Sequence, residues 1–207
     1  ASAAEVESIN PPRFYPLIKR NIELLFVLAL SPILILILTI AIIIIKIGSR
    51  GPIFFTQMRI GKHGIPFRIF KLRTMHSFLQ RPTTRTTDSQ DTRVTRFGRF
   101  LRRLRIDELP QIWHVITGDM SLIGPRPEQS DLSTEFEGTI SYYGLRHTVR
   151  PGISGWAQVM HGYADTVEET RLKIEFDLFY IKNMSLWLDL VIVSKTLRTI
   201  VFGSGSR

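Results

Sequence analysis

Asp107 and Glu108 are adjacent carboxylates at the end of the chain's most basic stretch. Five arginines (Arg96, Arg99, Arg102, Arg103 and Arg105) fall in the eleven residues before them. Leu109 and Pro110 follow, and proline is tolerated in a first helical turn, where its missing N–H has no partner to lose. The pattern predicts a helix from about Asp107 to Thr117, with Asp107 as its N-cap and Gly118 as its C-terminal cap. Acidic residues at a helix start also serve capping and the macrodipole with no chemistry at all. Neighbours on a helix point about 100° apart, so these carboxylates do not suit a shared proton. They suit separate roles, one as nucleophile and one as metal ligand. The arginines should depress both carboxyl pKa values and attract phosphate. Free N–H groups at a helix start add to that attraction. Carboxylate attack on a phosphoryl group, its repulsion relieved by Mg2+ and arginine, is the chemistry such a set can do.

Two stiff loops carry further arginines: Gly124-Pro125-Arg126-Pro127 and Arg150-Pro151-Gly152. A guanidinium on a rigid turn suits bidentate phosphate recognition, although a single arginine is more commonly a solvated surface group. Lys71 and Arg73, after Phe67–Phe70, are candidates of the same kind, or a basic surface facing lipid headgroups. The five histidines form no His-x-x-x-His pattern and there is no cysteine. That excludes disulfides, thiolate metal sites and cysteine nucleophiles, and disfavours a histidine metal site. The glycine-loop and serine-elbow motifs of nucleotide hydrolases, dinucleotide enzymes and serine hydrolases are absent. Trp113, Trp156 and Trp187 are base-stacking platforms on one reading and core or membrane-interface anchors on the other.

The elements that must position these residues are unevenly apolar. The chain has 207 residues and a net charge of +9, which points to an anionic partner: nucleic acid, an anionic membrane or a phosphorylated substrate. From Leu24 to Ile45 no residue is charged, and a helix rising about 1.5 Å per residue would just cross a bilayer core over that stretch. Lys19 and Arg20 precede it and Lys46 and Arg50 follow, so the positive-inside tendency places both ends on one side. Pro32 inside the run should kink the helix by freeing the carbonyl of Leu28, which Ser31 can help satisfy. A kinked span and a re-entrant helix both fit. Residues 49–75 read as short strands or irregular segments and 80–95 as an exposed loop. A basic amphipathic segment covers Phe97–Leu104, and a helix runs from about Thr166, its N-cap, to Asn183. Leu186–Phe202 reads as an interfacial or core helix.

Taken in order, several segments resemble the bacterial sugar transferases, the monotopic phosphoglycosyl transferases. They are Ser31-Pro32, Phe70–Met75, Asp107-Glu108-Leu109-Pro110-Gln111, Gly118–Pro127, Val149–Gln158 and Glu175–Tyr180. The resemblance implies a mainly α, α+β fold: one kinked re-entrant membrane helix and a small cytoplasmic catalytic domain with amphipathic interfacial helices. The corresponding division is a tail and basic flank over 1–20, the membrane helix over 21–48 and the catalytic domain over 49–207. It implies transfer of a phosphosugar from a UDP-sugar to polyprenyl phosphate with release of UMP, the first membrane step of exopolysaccharide, O-antigen or related glycoconjugate synthesis. Asp107 matches the family's nucleophile, which forms a covalent phosphosugar intermediate in a ping-pong reaction. Glu108 matches its magnesium ligand. By motif position Lys71, Arg102, Arg126 and Arg150 bind or orient phosphates, and Gln158 and Asp177 contact the nucleotide sugar or shape the site. Ser31 and Pro32 make the re-entrant kink. The expected cofactor is Mg2+, and the expected partners are UDP-sugar, polyprenyl phosphate and the bilayer, with no nucleic acid; a homodimer is compatible with this. The expected location is the bacterial inner membrane, catalytic domain on the cytoplasmic face. Trp156 and Thr166–Thr170 look more like exopolysaccharide-type transferases, which often carry extra membrane helices and a further domain.

The competing reading is a non-enzymatic, membrane-anchored basic module that binds anionic lipid or nucleic acid. It accounts for the charge and the apolar run, but not for carboxylates inside the most basic stretch.

Overall fold

The computed structural model describes residues 14–48, 50–76, 92–161 and 167–202. The expected Thr166 cap and most of the 80–95 loop lie outside them. The first element is helix α1, Tyr15–Gly48, which takes in Lys19 and Arg20 of the basic flank. It is long and apolar enough to cross a membrane. Its helical pattern continues through Pro32. The Ser31 hydroxyl donates to Leu28 O at 2.8 Å, taking the carbonyl that proline leaves without an N–H.

Next comes a regular antiparallel hairpin, β1 (Phe54–Ile60) and β2 (Pro66–Leu72), paired from Phe54↔Leu72 to Ile60↔Pro66. Sequence patterning left this region undecided between strands and irregular chain. Helix α2, Arg96–Arg103, is capped by Thr95, whose hydroxyl oxygen accepts from Gly98 N at 2.8 Å. A β-carbon at Gly98 would stand 2.1 Å from Thr74 O, so glycine is what lets α2 rest on the chain leaving β2.

The expected helix from Asp107 to Thr117 is a composite. Ile106–Gln111 form a 3-10 turn, and helix α3 covers only Ile112–Thr117. Asp107 is not an N-cap. It sits inside the turn, whose capping position is Arg105, held at φ 58°. Pro110 has no N–H with which to close an α-helical bond to Ile106. Gly118 ends α3 at φ 96°, the left-handed cap its residue type predicts.

The rest of the domain is helical around one short parallel pair, β3 (Ser121–Ile123) with β4 (Gly152–Ser154). Helix α4 (Ser130–Thr139), a 3-10 turn (Tyr143–Thr148), α5 (Trp156–Met160), α6 (Val167–Lys182) and α7 (Leu186–Phe202) complete the chain. The architecture is thus α+β and mainly helical. The largest core gathers Ile123, Tyr143, Ile174, Leu178, Ile181 and Ile192 from the β3, α6 and α7 side.

Helix α1 touches this body near both ends. Val27 packs with Ile69, Val115 and Met120, while Ala41 and Ile45 pack with Leu72 and Leu101. Burying side chains of this size contributes about 1.5–3 kcal/mol for each larger one. Between Val27 and Ala41 no residue is buried, and Leu28, Ile33, Ile35, Leu36 and Ile40 are exposed. The first turns of α1 dock through polar groups instead. Lys19 Nζ lies 2.5 Å from Asp189 Oδ2 on α7 and donates to Tyr180 OH at 2.9 Å. Tyr15 and Tyr180 each donate to Asp189 at 2.7 Å. Glu23 accepts the Ser121 hydroxyl at 2.6 Å and the Leu122 N–H at 3.0 Å, so it fixes the strand leading into Gly124–Pro127. Arg20 donates to the carbonyls of Val115 and Ile116 at the end of α3.

Helix α7 buries Asp189 and Ile192 and exposes Leu186, Trp187, Leu190, Val193 and Leu197. Its apolar character is therefore not consumed by the core. Trp113 is exposed as well, whereas Trp156 stacks on Phe179 at a centroid distance of 6.1 Å.

The Lys19 cluster yields a stability prediction. Lys19→Met strands Asp189 and Glu23 in a buried site without their cation, which should cost about 3–5 kcal/mol. Thermal unfolding of the detergent-solubilised protein should show a midpoint lower by about 10 °C. An unchanged midpoint would mean that the cluster does not hold α1 to the domain.

Candidate active site

The two carboxylates project from the 3-10 turn, where successive residues are about 120° apart, and they meet different surroundings. Glu108 faces cations. Its Oε1 accepts from Lys71 Nζ at 2.7 Å and Arg126 Nη2 at 2.5 Å. Its Oε2 has only longer contacts, 3.4 Å to Arg126 Nη1 and 3.8 Å to Arg105 Nη1. Burial pushes the Glu108 carboxyl pKa up, but the charges of Arg126 and Lys71 overcome it and hold the group well below its usual range. Asp107 is buried too, and among the described residues its carboxylate makes no hydrogen bond or ion pair. Burial first, and then the negative charge of Glu108, push it up to about 6, against the pull of Lys71, Arg102 and Arg105. The arginine-rich sequence led to the opposite expectation for Asp107. Desolvation and a like charge at the adjacent residue outweigh cations committed elsewhere.

Lys71 stands near the end of β2, opposite Phe55 of β1. Burial draws its ammonium below its ordinary pKa, with Glu108 opposing. Arg102 reaches the site from α2, anchored by Nε–H donation to Thr74 Oγ1 at 2.8 Å.

Arg126 rides on a loop whose successive carbonyls all have donors. Pro125 O accepts from Gly152 N at 2.9 Å, Arg126 O from Arg146 Nη2 at 2.9 Å, Pro127 O from Arg59 Nη1 at 3.0 Å and Glu128 O from Ile60 N at 3.0 Å. Close approach of the two arginine loops requires glycine: a β-carbon on Gly152 would stand 2.1 Å from Gly124 N.

The other sequence candidates divide. Gln158 adjoins the site, because its Nε2 shares the Ile153 carbonyl, at 3.5 Å, with Arg126 Nη1, at 3.4 Å. Its buried Oε1 has no partner among the described residues. Arg150 does not join the dyad. Its Nε donates to Gly118 O at 2.8 Å, beside the α3 carbonyls that Arg20 holds. Asp177 is buried behind the Arg126 loop in an ion pair with Arg146, 2.8 Å apart. Arg73 donates to Arg50 O at 3.2 Å, on the chain leading into β1. Ser31 and Pro32, in the middle of α1, take no part in the site.

Sequence reasoning missed Arg146, Arg59, Glu128 and Lys173. Glu128 lies 3.0 Å from Lys173 and 3.5 Å from Arg59. Against the upward push of burial, Lys173, Arg146 and Arg59 bring its carboxyl down to about 2. No motif marks these residues, which converge from β1, α6 and two loops.

The described residues contain no group of three or more acidic or histidine side chains able to hold a metal by themselves. Mg2+ needs no such cage, since it commonly takes one or two carboxylates and completes its shell with substrate phosphates and water. A carboxylate has about four acceptor positions. Lys71 and Arg126 occupy those of Oε1, whereas Oε2 has one hydrogen bond, the longer one from Arg126 Nη1. Glu108 Oε2 is thus a single carboxylate oxygen of the kind Mg2+ takes.

The family model for bacterial sugar transferases matches residues 14–203. A UDP-N-acetylgalactosamine-undecaprenyl-phosphate N-acetylgalactosaminephosphotransferase of Aeromonas hydrophila is 48% identical over 203 residues, covering 98% of this chain and 48% of its own. A UDP-glucose:undecaprenyl-phosphate glucose-1-phosphate transferase of Escherichia coli is 41% identical over 174 residues, 83% of this chain and 37% of its own. The chain thus spans about half the length of the first relative and little more than a third of the second. It spans nearly all of an uncharacterized sugar transferase of Bacillus subtilis, EpsL: 40% identity over 195 residues, 91% of this chain and 90% of that one. With the match running from the first turn of α1 to the end of α7, this chain belongs to the bacterial sugar transferase family.

Proposed function

We propose that the protein transfers a phosphosugar from a UDP-sugar to polyprenyl phosphate, with Asp107 as the nucleophile. The activities for which its relatives are named support the reaction class. The observation that carries the residue assignment is the division of the dyad. Glu108 is neutralised between Lys71 and Arg126, while Asp107 is buried with no cation bonded to it. A carboxylate stripped of water and unpaired is the more nucleophilic of the two.

In the first displacement an Asp107 carboxylate oxygen attacks the β-phosphorus of the UDP-sugar. The bond from that phosphorus to the bridging oxygen breaks, and UMP leaves with the electron pair. The phosphosugar remains on Asp107 as an acyl phosphate. In the second displacement a phosphate oxygen of the polyprenyl acceptor attacks the same phosphorus and expels Asp107 as carboxylate. The product is a polyprenyl-diphosphate sugar. Asp107 must be ionised to react, and a pKa of about 6 leaves it so at neutral pH. Arg126, Lys71 and Arg102 hold the donor phosphates, and the free Gln158 Oε1 accepts from a donor hydroxyl or N–H. Glu108 would hold a magnesium ion, which when bound would supply charge neutralisation for the diphosphate.

The same reading makes α1 a re-entrant membrane helix. Its two ends dock on one domain and its exposed apolar middle lies between them. The outer face of α7 and Trp113 then meet the bilayer interface. UDP-sugars are cytoplasmic, so the domain faces the cytoplasm at the inner membrane.

Incubating the protein with UDP-N-acetylgalactosamine or UDP-glucose and Mg2+, without acceptor, should add the mass of one phosphosugar and release UMP. Asp107→Asn should show no adduct and lose about 10³-fold or more in turnover. An adduct that persists in Asp107→Asn would overturn the nucleophile assignment.

Topology has its own test, because the chain has no cysteine of its own. Single substitutions Ser8→Cys and Ser49→Cys should both react with an impermeant maleimide from the cytoplasmic side only. Reaction from opposite sides would mean that α1 spans the membrane.

A further inference from the structure

We infer that Arg146 and Arg59 are positioning residues for Arg126, and that Asp177 acts through Arg146 and not on a substrate. The inference rests on the proposed transferase reaction, in which Arg126 holds donor phosphate beside Asp107.

The geometry is a chain of grips running outward from the dyad. Arg126 meets Glu108 through its guanidinium at 2.5 Å. Its own carbonyl is held by Arg146 Nη2 at 2.9 Å, and the next carbonyl, that of Pro127, by Arg59 Nη1 at 3.0 Å. Arg146 is itself fixed from α6 and from within its own 3-10 turn. Nη2 also bonds Asp177 Oδ2 on α6 at 2.8 Å, and Nη1 donates to Tyr143 OH at 2.9 Å. Arg59 is fixed by Gln57 Oε1 at 2.8 Å and by Glu128 at 3.5 Å. Side-chain exposure is 2% for Arg146, 1% for Asp177 and 13% for Arg59.

Three guanidinium groups packed this closely repel one another, and burial adds to the cost. Burial and the charge of Arg126 bring Arg59 down to about 10, so it stays cationic at neutral pH. Glu128 and Asp177 are the buried counter-charges that allow the cluster to exist. A loop needing only to be closed could use backbone bonds throughout, as Pro125 and Glu128 do. Here two consecutive carbonyls, that of Arg126 itself and that of the next residue, are each held by a guanidinium N–H. A guanidinium is planar and multiply hydrogen-bonded, so it fixes direction as well as distance. The arrangement orients Arg126 for a phosphate and keeps its own grips away from the substrate side. Asp177 is sealed in the core, with Arg146 between it and the Arg126 loop.

The test is a double-mutant cycle read by UMP release under turnover with UDP-sugar and polyprenyl phosphate. That readout does not depend on an adduct accumulating, so loss of the adduct and loss of the coupling are separate results. Removing Arg146 strands Asp177, so the probes are the milder Asp177→Asn and Arg59→Gln, each alone and combined with Arg126→Ala. Each single probe should lower kcat/KM roughly tenfold or more, as displacement of a reacting geometry does. In the Arg126→Ala background each should change it by less than about twofold, because a residue acting only through Arg126 has nothing left to position. Losses that multiply in the double variants would overturn the inference. So would an Asp177→Asn or Arg59→Gln protein with wild-type kcat/KM. Arg59→Lys covers the case of misfolding: with a point ammonium in place of a planar fork, it should fold and still show the non-multiplying loss.

Discussion

A single buried carboxylate organises this molecule. Glu108 draws Lys71 from the hairpin, Arg126 from the loop after β3 and, more loosely, Arg105 from the start of its own turn. An ionised glutamate taken out of water is costly unless its partners are in place. Satisfying it brings three otherwise separate segments to one point. It also leaves Asp107 as the group on which the remaining burial and like-charge penalty falls. Two residues of nearly identical chemistry thereby become different: one permanently ionised and engaged, the other poised near neutrality and without a bonded cation.

The support behind this pair is itself electrostatic. Glu23, at the base of the membrane helix, holds the β3 backbone, and Arg20 holds the end of α3. Those two contacts bracket the segment that runs from the dyad's helix to the Arg126 loop. The first turns of α1 are thus part of the scaffold that aims the site, and the middle of α1 beyond them is apolar and exposed. On the proposed function, an acceptor with a polyprenyl tail and a phosphate head would need bilayer and arginine cluster side by side.

Much of this was legible in the sequence, and the boundary has physical reasons. The charge-free run, Ser31 relieving Pro32, the basic amphipathic pattern of α2 and the Gly118 cap all depend on neighbours within a turn, and they stand where patterning puts them. Asp107, Glu108, Lys71 and Arg126 also converge as their motifs suggest. The Asp107 N-cap failed because Arg105 adopts a left-handed conformation and opens a 3-10 turn, which composition does not encode. The rigid loop of Arg150 does not say which carbonyl its Nε will find, and that carbonyl is Gly118 O, away from the dyad. Arg146 and Arg59 were invisible because their importance comes from contacts across the fold. The Asp107 pKa was misjudged for the same reason: counting nearby arginines ignores which carboxylate they bond.

The claim on which the account turns is the unequal ionisation of the dyad. A pH titration of carboxyl resonances in protein carrying 13C at its Asp and Glu carboxyl carbons measures it directly, with Asp107→Asn and Glu108→Gln giving the assignments. A carboxyl whose folded pKa is raised stays protonated to higher pH, and one whose pKa is depressed stays ionised to lower pH. The account predicts that Asp107 titrates near 6 while Glu108 remains ionised well below the usual glutamate range. An Asp107 midpoint near the ordinary value of 3.8, or a Glu108 that takes up the proton first, would contradict it.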